Sequence, residues 1–226
     1  IITRAGLSGS QIFINLNPKK GEFNCSPFLF ITRKGGNIMS KNKQSNQVVK
    51  DMKECFRSFY LPINDNIYTD IANEPIGRQK YLLWPRPFIE DFCKKYNVKK
   101  VLFIPFAGVN LVSESVKKSY DEYENKVKSF YAKFGIKLYS IHKEKKPIEA
   151  IIKAEAVAVG GGNTFYLVNE LHRLGLMKPL RERALNGMPY MGWSAGSNIT
   201  CPTLMTTNDM PIIQPQSFDC LNLLPF

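Results

Sequence analysis

The stretch AVAVGGGNT, residues 156–164, decides the fold class of this chain. Four consecutive small or β-branched apolar residues are typical of a strand that is buried on both faces of a parallel sheet. Three glycines follow at once, and residues 165–174 then carry apolar side chains at helical spacing before Gly175. A buried strand, a glycine turn and an amphipathic helix are the parts of a βαβ unit, so the stretch predicts an α/β fold.

Strand and helix patterns alternate on both sides of that unit. Residues 101–104 predict a second buried strand between two helices, one over 88–96 and one over 116–134. Residues 190–193 predict another short strand on the C-terminal side. The remaining predicted elements are a strand over 136–141 and helices over 148–153 and 178–186. We therefore expect a doubly wound, mostly parallel sheet with helices on both faces.

The first 80 residues have no such regular pattern. Residues 28–31 predict a strand and residues 48–60 a helix, but a glycine pair and a stretch rich in lysine, asparagine and glutamine interrupt them. We expect residues 1–80 to form an N-terminal extension whose role is unassigned. Residues 81–226 are expected to form the α/β domain.

Composition indicates a globular protein of a reducing compartment. The hydrophobic fraction is 44% and the charged fraction 22%, as in an ordinary folded domain. No apolar run approaches the roughly 20 residues that cross a membrane. The five cysteines are odd in number and form no CxxC pair, which argues against a disulfide framework and against a zinc site. We therefore expect a cytoplasmic location.

The formal net charge of +12 raises the question of an acidic partner. The lysines occur in dispersed pairs such as Lys94-Lys95 and Lys145-Lys146, without the interleaved aromatic residues of a single-strand binding surface. The pattern favours a solvated basic surface over nucleic-acid binding. The charge pattern is also compatible with a homo-oligomer, or with an assembly partner that docks on the basic N-terminal extension.

The motif with the clearest chemistry is GWSAG, residues 192–196. It matches G-x-S-x-G, follows a predicted strand and precedes residues that can start a helix, which is the setting of a nucleophile elbow. In such a turn Ser194 is strained, and side chains in place of Gly192 and Gly196 would collide with the adjoining strand and helix. The alternative interpretation is a tight turn with a capping serine, because five-residue matches are common by chance.

The triple glycine over residues 160–162 offers backbone N–H groups to an anion. That anion is either a phosphate or the oxyanion of an acyl-transfer reaction. The loop lacks the spacing of dinucleotide and P-loop motifs, so nucleotide binding is the weaker interpretation. A purely structural alternative is a strand–helix connection in which Thr164 caps the following helix.

Four segments together resemble peptidase E, the aspartyl dipeptidase family. They are FIPFAGV at 103–109, VGGGNTF at 159–165, GWSAG at 192–196 and TTNDMPI at 206–212. Their order and approximate spacing are similar to the family's, and the resemblance covers roughly residues 84–226. Cyanophycinase resembles the serine turn too, but TTNDMPI fits the dipeptidase better. The resemblance implies a doubly wound α/β fold and hydrolysis of dipeptides with an N-terminal aspartate, without a metal or another cofactor.

The resemblance also implies roles for particular residues. Ser194 would be the nucleophile, and the backbone N–H groups of Gly162 and Ala195 would form the oxyanion hole. Asp209 would be the acidic active-site residue, either orienting the base or contacting the substrate, and Asn163 would help to bind the substrate. We therefore expect a serine-type dipeptidase that cleaves Asp-X dipeptides through an acyl-enzyme at Ser194.

The chain departs from the family pattern at its C-terminal end. The family's catalytic histidine lies in an Asn-Pro-His segment, which we expect a few residues beyond Phe226, so the α/β domain is expected to be truncated. His142 and His172 both precede the serine and are predicted to be structural. A serine without its base is a weak nucleophile. The alternative hypothesis is therefore a catalytically inactive, peptidase-E-like subunit with a structural role in a larger assembly.

Overall fold

The structure is a computed structural model that describes residues 2–7, 10–15, 28–33, 82, 86–109 and 115–224. The strands are β1 Ile2–Leu7, β2 Ser10–Asn15, β3 Phe28–Arg33, β4 Lys100–Ile104, β5 Lys137–Ser140, β6 Ala156–Val159 and β7 Tyr190–Trp193. The helices are α1 Arg86–Lys95, α2 Val116–Ala132, α3 Pro147–Lys153, α4 Thr164–Arg173, α5 Met177–Leu185 and α6 Ala195–Asn198. Short 3-10 helices lie at Ile141–Lys143 and Leu204–Thr206.

The seven described strands form one sheet in the order β1-β2-β3-β7-β6-β4-β5. Strands β7, β6, β4 and β5 pair in parallel, with Leu102 of β4 opposite Val157 of β6. This confirms the predicted parallel α/β sheet. Strands β1, β2 and β3 continue the sheet with antiparallel pairing, and Leu29 of β3 lies opposite Gly192 of β7.

The N-terminal predictions have mixed outcomes. The strand predicted at residues 28–31 is confirmed, because β3 covers them. The helix predicted over residues 48–60 lies outside the described residues. The division into an extension and a domain at residue 80 stays a prediction.

Local sequence explains where two of the helices begin and end. The Ser115 and Asn163 side chains accept hydrogen bonds from backbone N–H groups in the first turns of α2 and α4. Gly135 and Gly175 follow the same two helices with φ of 77° and 65°, a left-handed conformation that glycine adopts without steric cost. The predicted helices and their C-terminal glycines are thereby confirmed.

Two hydrophobic clusters cover the two faces of the sheet. Val101 and Phe103 of β4 pack with α1 and α2, whereas Leu102 and Ile104 pack with α3, α4 and α5. All four side chains are fully buried, and each contributes about 1.5–3 kcal/mol to folding. The predicted covering of both faces by helices is therefore confirmed. No helix in the described part of the chain has the length and apolar character needed to cross a bilayer.

Candidate active site

Ser194 lies in the sharp turn that joins β7 to α6. Its φ of 54° and ψ of −118° are rarely adopted by residues with a side chain and cost about 1–3 kcal/mol. The flanking glycines make the turn sterically feasible. A Cβ on Gly192 would collide with the backbone carbonyl of Gly196, and a Cβ on Gly196 would collide with the carbonyl of Val159. The steric reason predicted for the two glycines is therefore confirmed.

Buried hydrogen bonds hold this turn in place. The Tyr190 hydroxyl donates to the Gly196 carbonyl at 2.5 Å, and the Ser197 hydroxyl donates to the Gly192 carbonyl at 3.0 Å. Ser194 itself is half-buried, whereas Tyr190 and Ser197 are buried beneath it. The strained serine is thus fixed by its surroundings before any substrate arrives.

The triple glycine lies directly against the serine turn. A Cβ placed on Gly161 would come within 2.8 Å of Ser194 Cβ, so a side chain on Gly161 would displace the serine. Gly162 has φ of 138° and packs on the Ala107 carbonyl, which also accepts the Asn163 backbone N–H at 2.9 Å. Within the described residues the Gly162 N–H has no hydrogen-bond acceptor. Gly162 is exposed, and the preceding glycine, Gly161, is the one that packs against the serine.

Asp209 is bound to the beginning of α4. Its Oδ2 accepts the Thr164 backbone N–H at 2.7 Å and the Thr164 hydroxyl at 2.5 Å, while its own N–H donates to Thr207 Oγ1 at 3.1 Å. Asn198 Nδ2, on the short helix after the serine, lies 3.5 Å from Thr164 Oγ1. Thr164 thus links the Asp209 carboxylate to α6. The catalytic role of Asp209 stays a prediction.

Asn163 connects the triple glycine to the segment that carries Asp209. Its Oδ1 accepts the Tyr166 N–H at 3.0 Å and so caps α4, the position that sequence analysis offered to Thr164. Its Nδ2 donates to the Met210 carbonyl at 2.8 Å. The side chain is therefore a structural bridge, and its predicted contact with substrate stays a prediction.

Both histidines have local partners. His142 Nδ1 lies 2.6 Å from the Ser140 hydroxyl, and its Nε2 lies 3.1 Å from Asp121 Oδ1. Both ring nitrogens of His142 are therefore within hydrogen-bond distance of a neighbouring side chain. His172 Nε2 lies 2.8 Å from the backbone carbonyl of Asp219. These contacts agree with the structural roles predicted for the two histidines.

A charged cluster surrounds His142. Its Nε2 and one carboxylate oxygen each from Asp121 and Glu124 lie within 4.8 Å of one another, as metal ligands do. Lys143 Nζ, however, lies 2.9 Å from Asp121 and 2.6 Å from Glu124, so an ammonium group already forms ion pairs with both carboxylates. The hydrogen bonds from Lys143 and His142 lower the pKa of Asp121, and those to Glu124 and Asp121 raise the pKa of Lys143. The expectation that no metal is needed stays a prediction.

The described cysteines are poor nucleophiles. Cys93, Cys201 and Cys220 are buried free thiols. Burial raises the pKa of Cys93 and of Cys220 to about 12, and it also raises the pKa of Cys201. These thiols are therefore protonated at neutral pH, and the thiolate is the reactive form. Chemistry at a cysteine is thus disfavoured in the described part of the chain.

Tyr123 of α2 is a site residue that sequence analysis missed. Its hydroxyl donates to the Gly161 carbonyl at 3.0 Å and accepts the Trp193 indole N–H at 3.1 Å. Its ring packs so closely on Gly160 that a Cβ there would lie 2.7 Å from ring atoms. The position of Tyr123 on the apolar stripe of α2 indicated burial only. No pattern in the sequence pointed to its partners, which lie 38 and 70 residues away.

The sequence is similar to those of known proteins. The model of Peptidase family S51 matches residues 71–226. Peptidase E of Nostoc sp. (strain PCC 7120) is 46% identical over 156 residues, which cover 69% of this chain and 61% of the relative. Peptidase E of Pasteurella multocida (strain Pm70) is 45% identical over 145 residues, which cover 64% of this chain and 59% of the relative. The chain therefore spans about three fifths of the length of these curated relatives.

Solved structures give a more distant likeness. A peptidase from an acI-B1 Actinobacterium has a TM-score of 0.48 and 16% sequence identity, covering 62% of this chain and 59% of that chain. The fold assignment rests instead on the strand order and register described above.

Proposed function

This chain belongs to peptidase family S51, and from that membership and the geometry of the Ser194 turn we propose that the full-length protein is a serine-type dipeptidase. Its proposed substrates are Asp-X dipeptides, which Ser194 cleaves through an aspartyl-enzyme intermediate. The peptidase E relatives support this proposal. The observation that carries it is the close approach of the strained Ser194 turn to the triple glycine.

In the first proposed step Ser194 Oγ attacks the carbonyl carbon of the Asp-X bond, and a histidine takes the hydroxyl proton. The backbone N–H groups of Gly162 and Ala195 donate hydrogen bonds to the oxyanion that forms. Because such donors are fixed in advance, each stabilises the transition state by about 3–4 kcal/mol. The histidine then protonates the departing amine of X, and the aspartyl group remains on the serine.

In the second step water attacks the aspartyl ester, the histidine takes the water proton, and Ser194 regains its own proton when aspartate leaves. We propose that this histidine is the one that peptidase E carries in its Asn-Pro-His segment. His142 and His172 serve the fold instead, in keeping with the local contacts that each makes.

Asp209 is proposed to act beside this histidine or at the substrate. Thr164 binds Asp209 through Oδ2, which leaves Oδ1 to orient the imidazole or to accept from the α-ammonium group of Asp-X. Asn163 donates to the carbonyl of Met210, the residue after Asp209, and is proposed to lie beside the α-ammonium group of the substrate. The free thiols support the proposed cytoplasmic location, where disulfides rarely persist.

An assay of the full-length protein on a series of dipeptides tests this function. We expect hydrolysis of Asp-X and at least tenfold slower hydrolysis of matched Ala-X and Gly-X dipeptides. Equal rates on the three series would overturn the proposed substrate class. If none of the dipeptides is cleaved by well-folded protein, the alternative of an inactive structural subunit is favoured, with its partner docking on the basic N-terminal extension.

A further inference from the structure

The peptide unit between Gly161 and Gly162 carries the N–H that we propose as an oxyanion donor. The carbonyl oxygen of that same unit, on Gly161, accepts the hydrogen bond from the Tyr123 hydroxyl at 3.0 Å. A trans peptide unit is planar, so the direction of its carbonyl fixes the direction of the N–H on the opposite side. A bond that holds the Gly161 carbonyl therefore also aims the Gly162 donor.

The Tyr123 hydroxyl also contacts the serine turn, which is the other part of the proposed site. It accepts the indole N–H of Trp193 at 3.1 Å, and Trp193 immediately precedes the nucleophile Ser194. A phenol has one proton to donate and lone pairs to accept, so the two bonds form together. One oxygen atom on α2 thus joins the triple glycine to the serine turn, and the two segments keep a fixed relative position.

The ring of Tyr123 is held independently of its hydroxyl. Tyr123 is only 4% exposed, and its ring meets Phe103 edge to face with the centroids 5.0 Å apart. The Trp193 ring is stacked with Phe103, and the two centroids lie 6.0 Å apart. Removal of the hydroxyl alone would therefore leave the ring in its place. The hydrogen bonds are also strong here, because little water competes for them.

We propose that Tyr123 is a positioning residue of the active site, whose hydroxyl sets the direction of the Gly162 N–H relative to Ser194. The inference rests on the proposed function, because it concerns the same oxyanion. Tyr123 acts through the peptide unit and does not touch the substrate. Negative charge on the oxygen develops fully only in the transition state, so the loss of this alignment should lower kcat and leave KM nearly unchanged.

The substitution Tyr123→Phe tests the proposal, with Tyr131→Phe as the matched control. Tyr131 lies on the same helix, is fully buried, and its hydroxyl donates to Met191 Sδ at 3.4 Å rather than to the triple glycine. In the full-length protein we expect Tyr123→Phe to lower kcat on Asp-X roughly 10- to 100-fold, with KM within about twofold. Tyr131→Phe should keep the wild-type kcat. An unchanged kcat in Tyr123→Phe, or equal losses in both variants, would overturn the proposal.

A second readout requires no turnover. In ¹H–¹⁵N spectra, loss of the hydrogen bond to the Gly161 carbonyl should move the amide proton resonance of Gly162 upfield in Tyr123→Phe and leave it unmoved in Tyr131→Phe. A Gly162 resonance that stays in place would refute the alignment. If the wild-type protein cleaves no Asp-X while the resonance moves as expected, the alignment holds and the proposed substrate is the part that fails.

Discussion

Two serines lie at the carboxyl ends of strands in the parallel part of the sheet, one after β7 and one at the end of β5, and they differ in access and in partners. Ser194 is half-buried, stands at positive φ after β7 and contacts the triple glycine. Ser140 ends β5, is 1% exposed, and its hydroxyl lies 2.6 Å from His142, whose other nitrogen faces Asp121. Ser140 therefore has the partners of a catalytic triad without access, whereas Ser194 is partly accessible and lies against the triple glycine.

This difference shows that residue types alone do not identify a nucleophile. The Ser140 hydroxyl also lies 3.3 Å from the Phe103 carbonyl, so it is surrounded by the interior of the fold. A substrate carbonyl cannot approach a hydroxyl in that position. Acyl transfer requires a nucleophile that the substrate can reach and donors for the oxyanion, and Ser194, which is partly accessible, is the serine for which we propose such donors.

The largest expected effect separates the two serines directly. Ser194→Ala in the full-length protein should lower kcat/KM on Asp-X by roughly 10⁴- to 10⁶-fold, because it removes the nucleophile. Ser140→Ala should stay within about threefold of wild type, since it removes only a structural hydrogen bond. Steady-state kinetics on folded proteins measures both values. A greater loss in Ser140→Ala than in Ser194→Ala would reverse the comparison.

The next effect concerns the strained turn itself. Gly196→Ala should reduce the free energy of unfolding by about 2–4 kcal/mol, because its Cβ would meet the Val159 backbone. Gly135→Ala is the control, since φ there is 77° but no atom lies within 4 Å of a new Cβ. Gly135→Ala should reduce the free energy of unfolding by about 1 kcal/mol, because only the left-handed backbone conformation is unfavourable for alanine there. Equal urea midpoints for the two variants would show that the turn is not tightly packed.

A smaller effect is expected at the carboxylate that joins α4 to the serine turn. Asp209→Asn keeps the shape but removes the charge from the start of the helix, so it should destabilise the protein by about 1–2 kcal/mol. Asp219→Asn is the matched control, because Asp219 is exposed and its carboxylate accepts a hydrogen bond from the Ser217 hydroxyl rather than from a helix N-terminus. Its effect on urea unfolding should stay below about 0.5 kcal/mol. Indistinguishable unfolding curves for the two variants would contradict the helix contact.

The smallest expected effect is a pH dependence of stability that comes from Asp121, which contacts His142 beside Ser140. Hydrogen bonds from Lys143 and then His142 lower the pKa of Asp121 in the folded state. A lowered pKa stabilises the fold above the unfolded pKa, and this stabilisation is lost as the pH falls below about 4. The side chain is 36% exposed, so the contribution should be less than about 1 kcal/mol.

Thermal unfolding of Asp121→Asn measures this contribution. The melting temperature of the variant should be slightly below that of wild type at pH 6, and the gap should close toward pH 3. High salt should narrow it at pH 6. A gap that is equally wide at both pH values would mean that Asp121 acts through packing and not through its charge.

Local sequence was sufficient to predict those elements whose structure is determined by contacts between residues close together in the chain. The predicted strands at 156–159 and 190–193 match β6 and β7, since short apolar runs next to glycine leave few alternatives. The need for glycine at positions 192 and 196 also followed from the motif, although only the clash at Gly192 arises within the turn, whereas that at Gly196 is with Val159 of β6.

Long-range contacts could not be predicted in this way. Pairing of β3 with β7 joins segments more than a hundred residues apart, and no local pattern specifies such a partner. The contact of Asp209 with Thr164 spans 45 residues, and that of Tyr123 with Trp193 spans 70. Periodicity gives the buried face of a helix, whereas the partner of a buried hydroxyl depends on the assembled fold.

The most direct test of the central claim is to trap the acyl-enzyme. An activated aspartyl ester forms the intermediate faster than water removes it, so acid quenching followed by mass spectrometry of peptides should find the covalent adduct. We expect one aspartyl group on the peptide that contains Ser194, and none on the peptide that contains Ser140. Turnover of the ester with the aspartyl group on another residue, or with no adduct at any time, would contradict the assignment of Ser194 as the nucleophile.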